Sequence, residues 1–554
     1  MYISGISHFY IRSPSVPRNI LIYTWHFLSL SLSLSLSLSL CVCVYSASTH
    51  THTHTHVRAR AHTHTHYICF HPPTHSNTCI ECLRKFPGED MKFAGESDTP
   101  EAPKGAKDAR CKVCYPYEGR SKGRAGCGGL GLTDYQVQVS TLVAISGTVI
   151  LRVLIGPIGD AIGIRLAYTA LLMLASIPGF LLAASTGYAS MVIFRFGVSF
   201  AGASFVLTQL WTTQMFDLNV VGIANATSAG WGNLGGGISQ MLNTAVFASC
   251  KASGMRNDTA WRITCAWSPG VIFALGVAVF LFTDDTPYGQ LADIKKKRKQ
   301  DAEAAAAAAN DDAAAQKAAL EAGGEPGSVA ARSLLEAASN WQTWVLHLCY
   351  MFSFGVELIV NGNIVSYFTT TFGMTQSDAG LFGSIFGLLN IFARSFGGLM
   401  SDFFVQIQWE GGKKWGPRGR LWALFIQTTL MGICLIIFSG LTRDHNGIGG
   451  MMTCLVFWGI FTNMTEGGTF AVVPYILPKA IGGVAGIVGA GGNAGAIMGN
   501  AMMVVLGNRT QGARMAAFCG LGWAALASSM LIPCLWIPQA GSMFREALIL
   551  KSPV

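Results

Sequence analysis

Arg152 and Arg394 lie in segments of otherwise apolar residues and share one frame: each is followed by glycine four residues on (Gly156, Gly398) and by aspartate eight residues on (Asp160, Asp402). A cation at membrane depth is costly and is kept where it has work to do. The guanidinium is a planar fork of donors, which suits a flat oxyanion. Eight helical residues rise about 12 Å, so if the aspartates mark a cytoplasmic surface, both arginines reach roughly mid-membrane. A pair repeated in this way predicts a carrier that holds an anion between two related helical bundles. Snorkelling, or structural pairing of either arginine with an acid, is the competing reading.

Two further features are duplicated. Asn233 stands in Ala229-Gly-Trp-Gly-Asn233-Leu-Gly-Gly-Gly237, and Asn493 stands in Gly489-Ala-Gly-Gly-Asn493-Ala-Gly495. Such glycine runs let membrane helices pack or slide closely, and an amide among them can donate to an anion without adding charge. Helix packing alone is the plainer alternative. Glu357 and Glu466 are the ionisable acids at span depth, candidates for carrying a coupling proton or, equally, buried hydrogen-bonded acids.

These residues need a polytopic membrane frame, and the composition supplies one. The chain has 554 residues, 51% of them hydrophobic and only 12% charged, against roughly 25% charged in soluble domains. Apolar runs near the length of about 20 residues that crosses a bilayer occur at 136–158, 166–186, 190–212, 220–248, 262–283, 342–368, 378–401, 421–441, 450–472, 481–506 and 514–537. They predict an N-terminal bundle at 134–283, a central linker at 284–340, a C-terminal bundle at 341–538 and a tail at 539–554. The linker carries Lys295-Lys296-Lys297-Arg298-Lys299 and an alanine run, and its basic cluster marks the cytoplasmic side. The net charge of +9 therefore reflects topology rather than nucleic-acid binding.

Residues 1–90 read differently. Ser and Leu alternate over 29–40, Cys and Val over 41–44, Thr and His over 49–56, and Arg and Ala over 58–61. Each alternation is the translation of a dinucleotide repeat, so we expect a gene-model artefact with the authentic start at Met91 or in another exon. A signal peptide or first span at 19–48, and a zinc site from Cys79, Cys82, Cys111 and Cys114, are the rival readings. A basic region follows at 91–133. The distribution of basic residues fits the positive-inside rule only if one further span has been lost between about 125 and 133, with which the total would be twelve, six in each half.

Gly156-x3-Asp160-x2-Gly163-x-Arg165 matches the loop between the second and third helices of major facilitator transporters, and Gly398-x3-Asp402 begins its counterpart. With AGASFVLTQLWTTQMFD at 201–217, NATSAGWGNLGGG at 225–237, FSFGVEL at 352–358, FARSFGGLMSD at 392–402 and VGAGGNAG at 488–495, the chain resembles the nitrate/nitrite porter family of that superfamily. It looks most like the eukaryotic high-affinity nitrate transporter type.

The resemblance implies an all-α membrane protein with the major facilitator fold, two six-helix bundles of which the first helix is missing or replaced, leaving about eleven recognisable spans. It implies nitrate, and also nitrite, as substrate, with Arg152 and Arg394 as the anion-binding arginines and Phe205 and Tyr350 beside the ion. Gly156, Asp160, Gly163, Arg165, Gly398 and Asp402 become a gate. It further implies proton-coupled uptake by alternating access at the plasma membrane, and a small single-span accessory protein as a partner of some relatives. Nitrate/nitrite exchange, another small monovalent anion, a nitrate sensor on a carrier scaffold and a non-functional truncated gene model are the alternatives. No nucleotide loop, metal site, cofactor site or nucleophile constellation is expected, so an enzyme is not. Cys250 and Cys265, flanking an outer loop, form a candidate disulfide, and Asn257 and Asn508 head glycosylation patterns.

Overall fold

The computed structural model describes residues 130–301 and 326–546, apart from 131, 133, 295, 298–299, 375, 409–413, 442 and 507–510. The repeat tract, the four cysteines between 79 and 114, and Asn508 lie outside the described residues.

Backbone groups in hydrocarbon must be satisfied within their own segment, so apolar runs of this length become helices. In the N-terminal half these are α1 (Asp134–Ile162), α2 (Ile164–Ala183), α3 (Tyr188–Val198), α4 (Ser204–Met215), α5 (Val221–Ala252) and α6 (Asn257–Phe282). A linker helix, α7 (Pro326–Ser339), leads to the C-terminal half: α8 (Trp341–Phe372), α9 (Gln376–Leu388), α10 (Ala393–Gln406), α11 (Arg418–Gly440), α12 (Arg443–Ile476), α13 (Ile481–Leu506) and α14 (Gln511–Ser529).

Two expected spans are each a pair of helices joined by a 3-10 turn. Ser199–Ala203 joins α3 to α4, and Leu389–Ile391 joins α9 to α10 just before Arg394. Each pair counts as one crossing, and among the described residues ten segments are long and apolar enough to span a membrane. The eleventh expected span, 220–248, is helical as α5, but its glycines, Asn225, Ser228, Asn233 and Asn243 keep it below that apolar threshold. Instead α5 packs against protein. One apolar core crosses between the halves, with Phe205, Leu207 and Trp211 meeting Tyr350, Phe354, Phe470 and Val484. A second, around Phe438, Trp458 and Phe518, belongs to the C-terminal half. Ile150, Leu174, Ile193, Leu281, Phe403 and Trp523 stay exposed, the apolar surface a bilayer would cover.

The candidate disulfide between Cys250 and Cys265 is not formed: both are free thiols. Cys250 lies in the last turn of α5, whereas Cys265 lies eight residues into α6, about 12 Å along its axis. Cys250 is itself only about 3 Å short of the end of α5, so roughly 9 Å of axial offset remains between the two, more than the Cα separation of about 4.4–6.8 Å that a bridge requires.

Candidate functional site between the bundles

Neither guanidinium faces lipid: Arg152 is 3% exposed and Arg394 0%. Arg152 Nε donates to the Gly202 carbonyl at 3.1 Å, an oxygen presented by the short 3-10 turn between α3 and α4. Its Nη1 crosses to the other half and donates to the Gly489 carbonyl on α13 at 2.8 Å. Arg394 Nη2 donates to the Tyr350 hydroxyl at 2.8 Å, and its Nη1 forms an ion pair with Glu466 on α12. The acid pairing weighed from the sequence is thus present for Arg394.

The two arginines converge on one ring. The Arg152 guanidinium carbon lies 5.0 Å from the Phe205 centroid and that of Arg394 5.7 Å from it. Phe354 is approached by both as well, at 5.6 and 5.9 Å. Phe205 stacks on Tyr350 with centroids 6.0 Å apart and on Phe354 at 6.4 Å, while Phe470 meets it edge-on at 5.1 Å. Desolvated cation–π contacts of this kind contribute about 2 kcal/mol each. The aromatic pack therefore sets the relative position of two like charges that would otherwise repel.

A chain of polar groups leads away from Arg394. Glu357 Oε1 accepts from Asn390 Nδ2 at 2.7 Å and from Asn361 Nδ2 at 3.5 Å. Asn390 Oδ1 in turn accepts from Asn233 Nδ2 at 3.3 Å, so the N-terminal asparagine reaches the C-terminal half. Asn493, 6% exposed, lies one helical turn beyond Gly489 and so on the same face of α13. A side chain added at Gly489 would touch Phe205 and Val206. Each asparagine follows a crossing glycine, Gly222 or Gly482, by eleven residues, which is about 16 Å of helix.

Those crossing glycines meet the gate motif. A Cβ at Gly156 would overlap the Gly482 carbonyl, and one at Gly398 would overlap that of Gly222. The Asp160 carboxylate accepts the Gly482 amide at 3.0 Å and the Ser333 hydroxyl of α7 at 2.7 Å. Asp402 accepts the Ile223 amide at 2.7 Å and the Gly222 amide at 3.2 Å. Each aspartate thus supplies acceptors to the free amides at the N-terminus of a helix in the opposite half. Gly163 takes a φ of 96°, a conformation that favours glycine, and turns the chain from α1 into α2. Arg165 Nη1 donates to the Phe280 carbonyl at 3.2 Å and its backbone amide to Asp285 at 2.7 Å. It ties α2 to the end of α6.

Several residues here escaped the sequence reading. Arg420, fully buried, pairs with Asp402 at 2.6 Å and lies over Tyr475 at 5.1 Å; its position in a basic loop disguised it. Arg195, 2% exposed, donates to Ser140 at 2.6 Å and has no duplicate to draw attention to it. Phe354 lay inside the motif at 352–358 and Phe470 four residues beyond Glu466, but single phenylalanines in apolar helices carry no signal by themselves. Asn390 could have been found as an amide one turn before Arg394.

Comparison with known proteins agrees with this architecture. Residues 128–500 match the model of the Major Facilitator Superfamily. The chain is 32% identical over 419 residues to nitrate transporter 2.2 of Chlamydomonas reinhardtii, covering 75% of each chain. It is 33% identical over 419 residues to high affinity nitrate transporter 2.5 of Arabidopsis thaliana, again covering 75% of each. Among solved structures, the proton:xylose symporter XylE superposes with a TM-score of 0.54 at 14% identity, over 92% of this chain and 95% of that one. At that identity the likeness concerns the fold alone.

Proposed function

This chain belongs to the nitrate/nitrite porter family of the major facilitator superfamily, and we propose that it carries nitrate, and the smaller nitrite, across the plasma membrane by alternating access. The observation that carries this reading is the convergence of Arg152 and Arg394, one from each half, on Phe205. Two guanidinium forks from opposite bundles suit a planar monoanion held between them. Asn233 and Asn493 supply uncharged donors at neighbouring depth, and Tyr350 fixes the rotamer of Arg394.

Alternating access follows from the gate. The two aspartate-capped crossings hold one end of the bundles together, the end carrying Lys414, Arg418 and Arg420, which the positive-inside rule makes cytoplasmic. Opening that end means breaking both caps, and an anion bound to both arginines ties the halves at mid-membrane while it happens. Since nitrate entry into a negative-inside cell is uphill, coupling to protons supplies the drive. The chain acts as a carrier rather than as an enzyme.

The test is uptake of isotopic nitrate by cells expressing wild type, Arg152→Lys or Arg394→Lys, with surface expression monitored. Both variants should lose uptake while reaching the surface. Retained high-affinity uptake in either one refutes the assignment.

A further inference from the structure

Glu357 and Glu466 form a carboxyl pair that the anion site alone does not require. They arise from different helices, α8 and α12, are 3% and 0% exposed, and stand within hydrogen-bonding reach of one another. Glu466 Oε2 is held by Arg394 and Glu357 Oε1 by Asn390 and Asn361. The other two oxygens, Glu466 Oε1 and Glu357 Oε2, have no donor, and neither has the buried Arg394 Nε an acceptor. Two buried carboxylates side by side cannot both stay ionised with one cation between them, and a single proton bridging the orphaned oxygens would satisfy both. The charged groups around the pair are Arg394 from α10 and, beyond Tyr350 of α8, Arg152 from α1. On the α11 side the nearby polar group is the neutral Gln427, which donates to the Gly397 carbonyl at 3.1 Å.

We propose that Glu357 and Glu466 are the proton site of this carrier, sharing one proton while Glu466 neutralises Arg394, and that a second proton releases Arg394 to the anion. The inference rests on the reading of Arg394 as an anion-binding residue. Glu466 and a planar anion compete for the same guanidinium, since Nη1 cannot give its full charge to both. When the pair takes up a proton from the outer side, the Glu466 carboxylate becomes a neutral acid, its ion pair with Arg394 ends, and the arriving anion takes its place. No bond other than O–H forms or breaks. The formal charge of the site is one net positive before, from two arginines and one carboxylate, and one net positive after, from two arginines and one bound anion. Anion and proton together therefore leave the buried charge unchanged, which removes an electrostatic reason for either to travel alone.

The experiment uses the full chain in proteoliposomes, with nitrate as the probe, an entrapped pH-sensitive dye, and equilibrium nitrate binding measured across pH. Wild type should acidify the lumen as nitrate enters, and its apparent Kd should fall about tenfold for each unit by which the pH is lowered through the titrating range, as binding linked to one proton requires. Glu466→Gln should bind nitrate with a flat pH profile and lose lumen acidification, because the competing charge is gone. Glu357→Gln should move the opposite way, binding nitrate more weakly and with its midpoint shifted to lower pH, since the amide donates to Glu466 and strengthens its hold on Arg394. A merely structural role would weaken both variants without changing their profiles. Wild-type pH profiles and proton entry in both variants overturn the proposal, and so does equal weakening with unchanged profiles. Should Glu466→Gln fail to assemble, the acid shift in Glu357→Gln decides. Absence of nitrate binding by wild type at every pH refutes the transport reading instead, so the two failures are distinct.

Discussion

Asp160 caps Gly482, and that contact, at 3.0 Å between carboxylate and backbone amide, joins the end of α1 in one half to the start of α13 in the other. Asp402 repeats it on Ile223 at 2.7 Å. Each carboxylate has a further partner: Asp402 pairs with buried Arg420 at 2.6 Å, and Asp160 accepts the Ser333 hydroxyl at 2.7 Å.

Asp402→Asn should therefore destabilise the protein. Removing one partner of a buried ion pair costs about 3–5 kcal/mol, because the other charge is left uncompensated. The thermal transition of the detergent-solubilised protein should fall clearly for Asp402→Asn. Pairing Asp402→Asn with Arg420→Met should recover part of the loss.

Glycine at the crossings is a steric requirement. Gly156→Val and Gly398→Val should each abolish nitrate uptake, since the added atoms collide with the Gly482 and Gly222 carbonyls. Gly362→Ala, where nothing lies within 4 Å of a Cβ, should transport normally. Uptake normalised to surface protein checks all three.

Phe205→Leu keeps the volume of the aromatic pack near its original value but removes the face that both guanidinium groups share. Nitrate affinity should weaken by the loss of one to two cation–π contacts, about 2–4 kcal/mol, through mispositioned arginines. Equilibrium binding of nitrate measures it directly, and a shift in thermal stability of similar size should accompany it.

Ser333 is the contact through which the linker helix α7 reaches the gate. Ser333→Asp places a second carboxylate against Asp160 and should lift α7 from α1 and α13, whereas Ser333→Ala loses one hydrogen bond to a charged group, about 1.5–3 kcal/mol. Limited trypsin cleavage at Arg332 should accelerate strongly in the aspartate variant and modestly in the alanine one.

The helical frame was legible because hydrophobic runs of membrane length leave the backbone little choice, and the duplicated Arg–Gly–Asp frame was legible because repetition separates signal from composition. Turn positions were not. Nothing in FRFGVSFAGAS announces a 3-10 turn at Ser199–Ala203, yet that turn presents the Gly202 carbonyl to Arg152. The pairing of Arg394 with Glu466 was also hidden, because residues 72 apart on different helices meet only through packing. The same holds for Arg420 and Asp402, where the intervening basic loop reads as solvated surface.

Arg394 follows a 3-10 joint in its helix at Leu389–Ile391, while Arg152 lies in a continuous helical stretch of α1, five residues before Pro157. Duplicated parts thus have unequal freedom: rotation at a few backbone positions just before Arg394 can re-aim that cation locally, but the other moves with the helical turns around it. Binding and release at the two sides need not be mirror images of each other, and a compound wedged against the joint would stall one half of the cycle while leaving the other half's geometry intact.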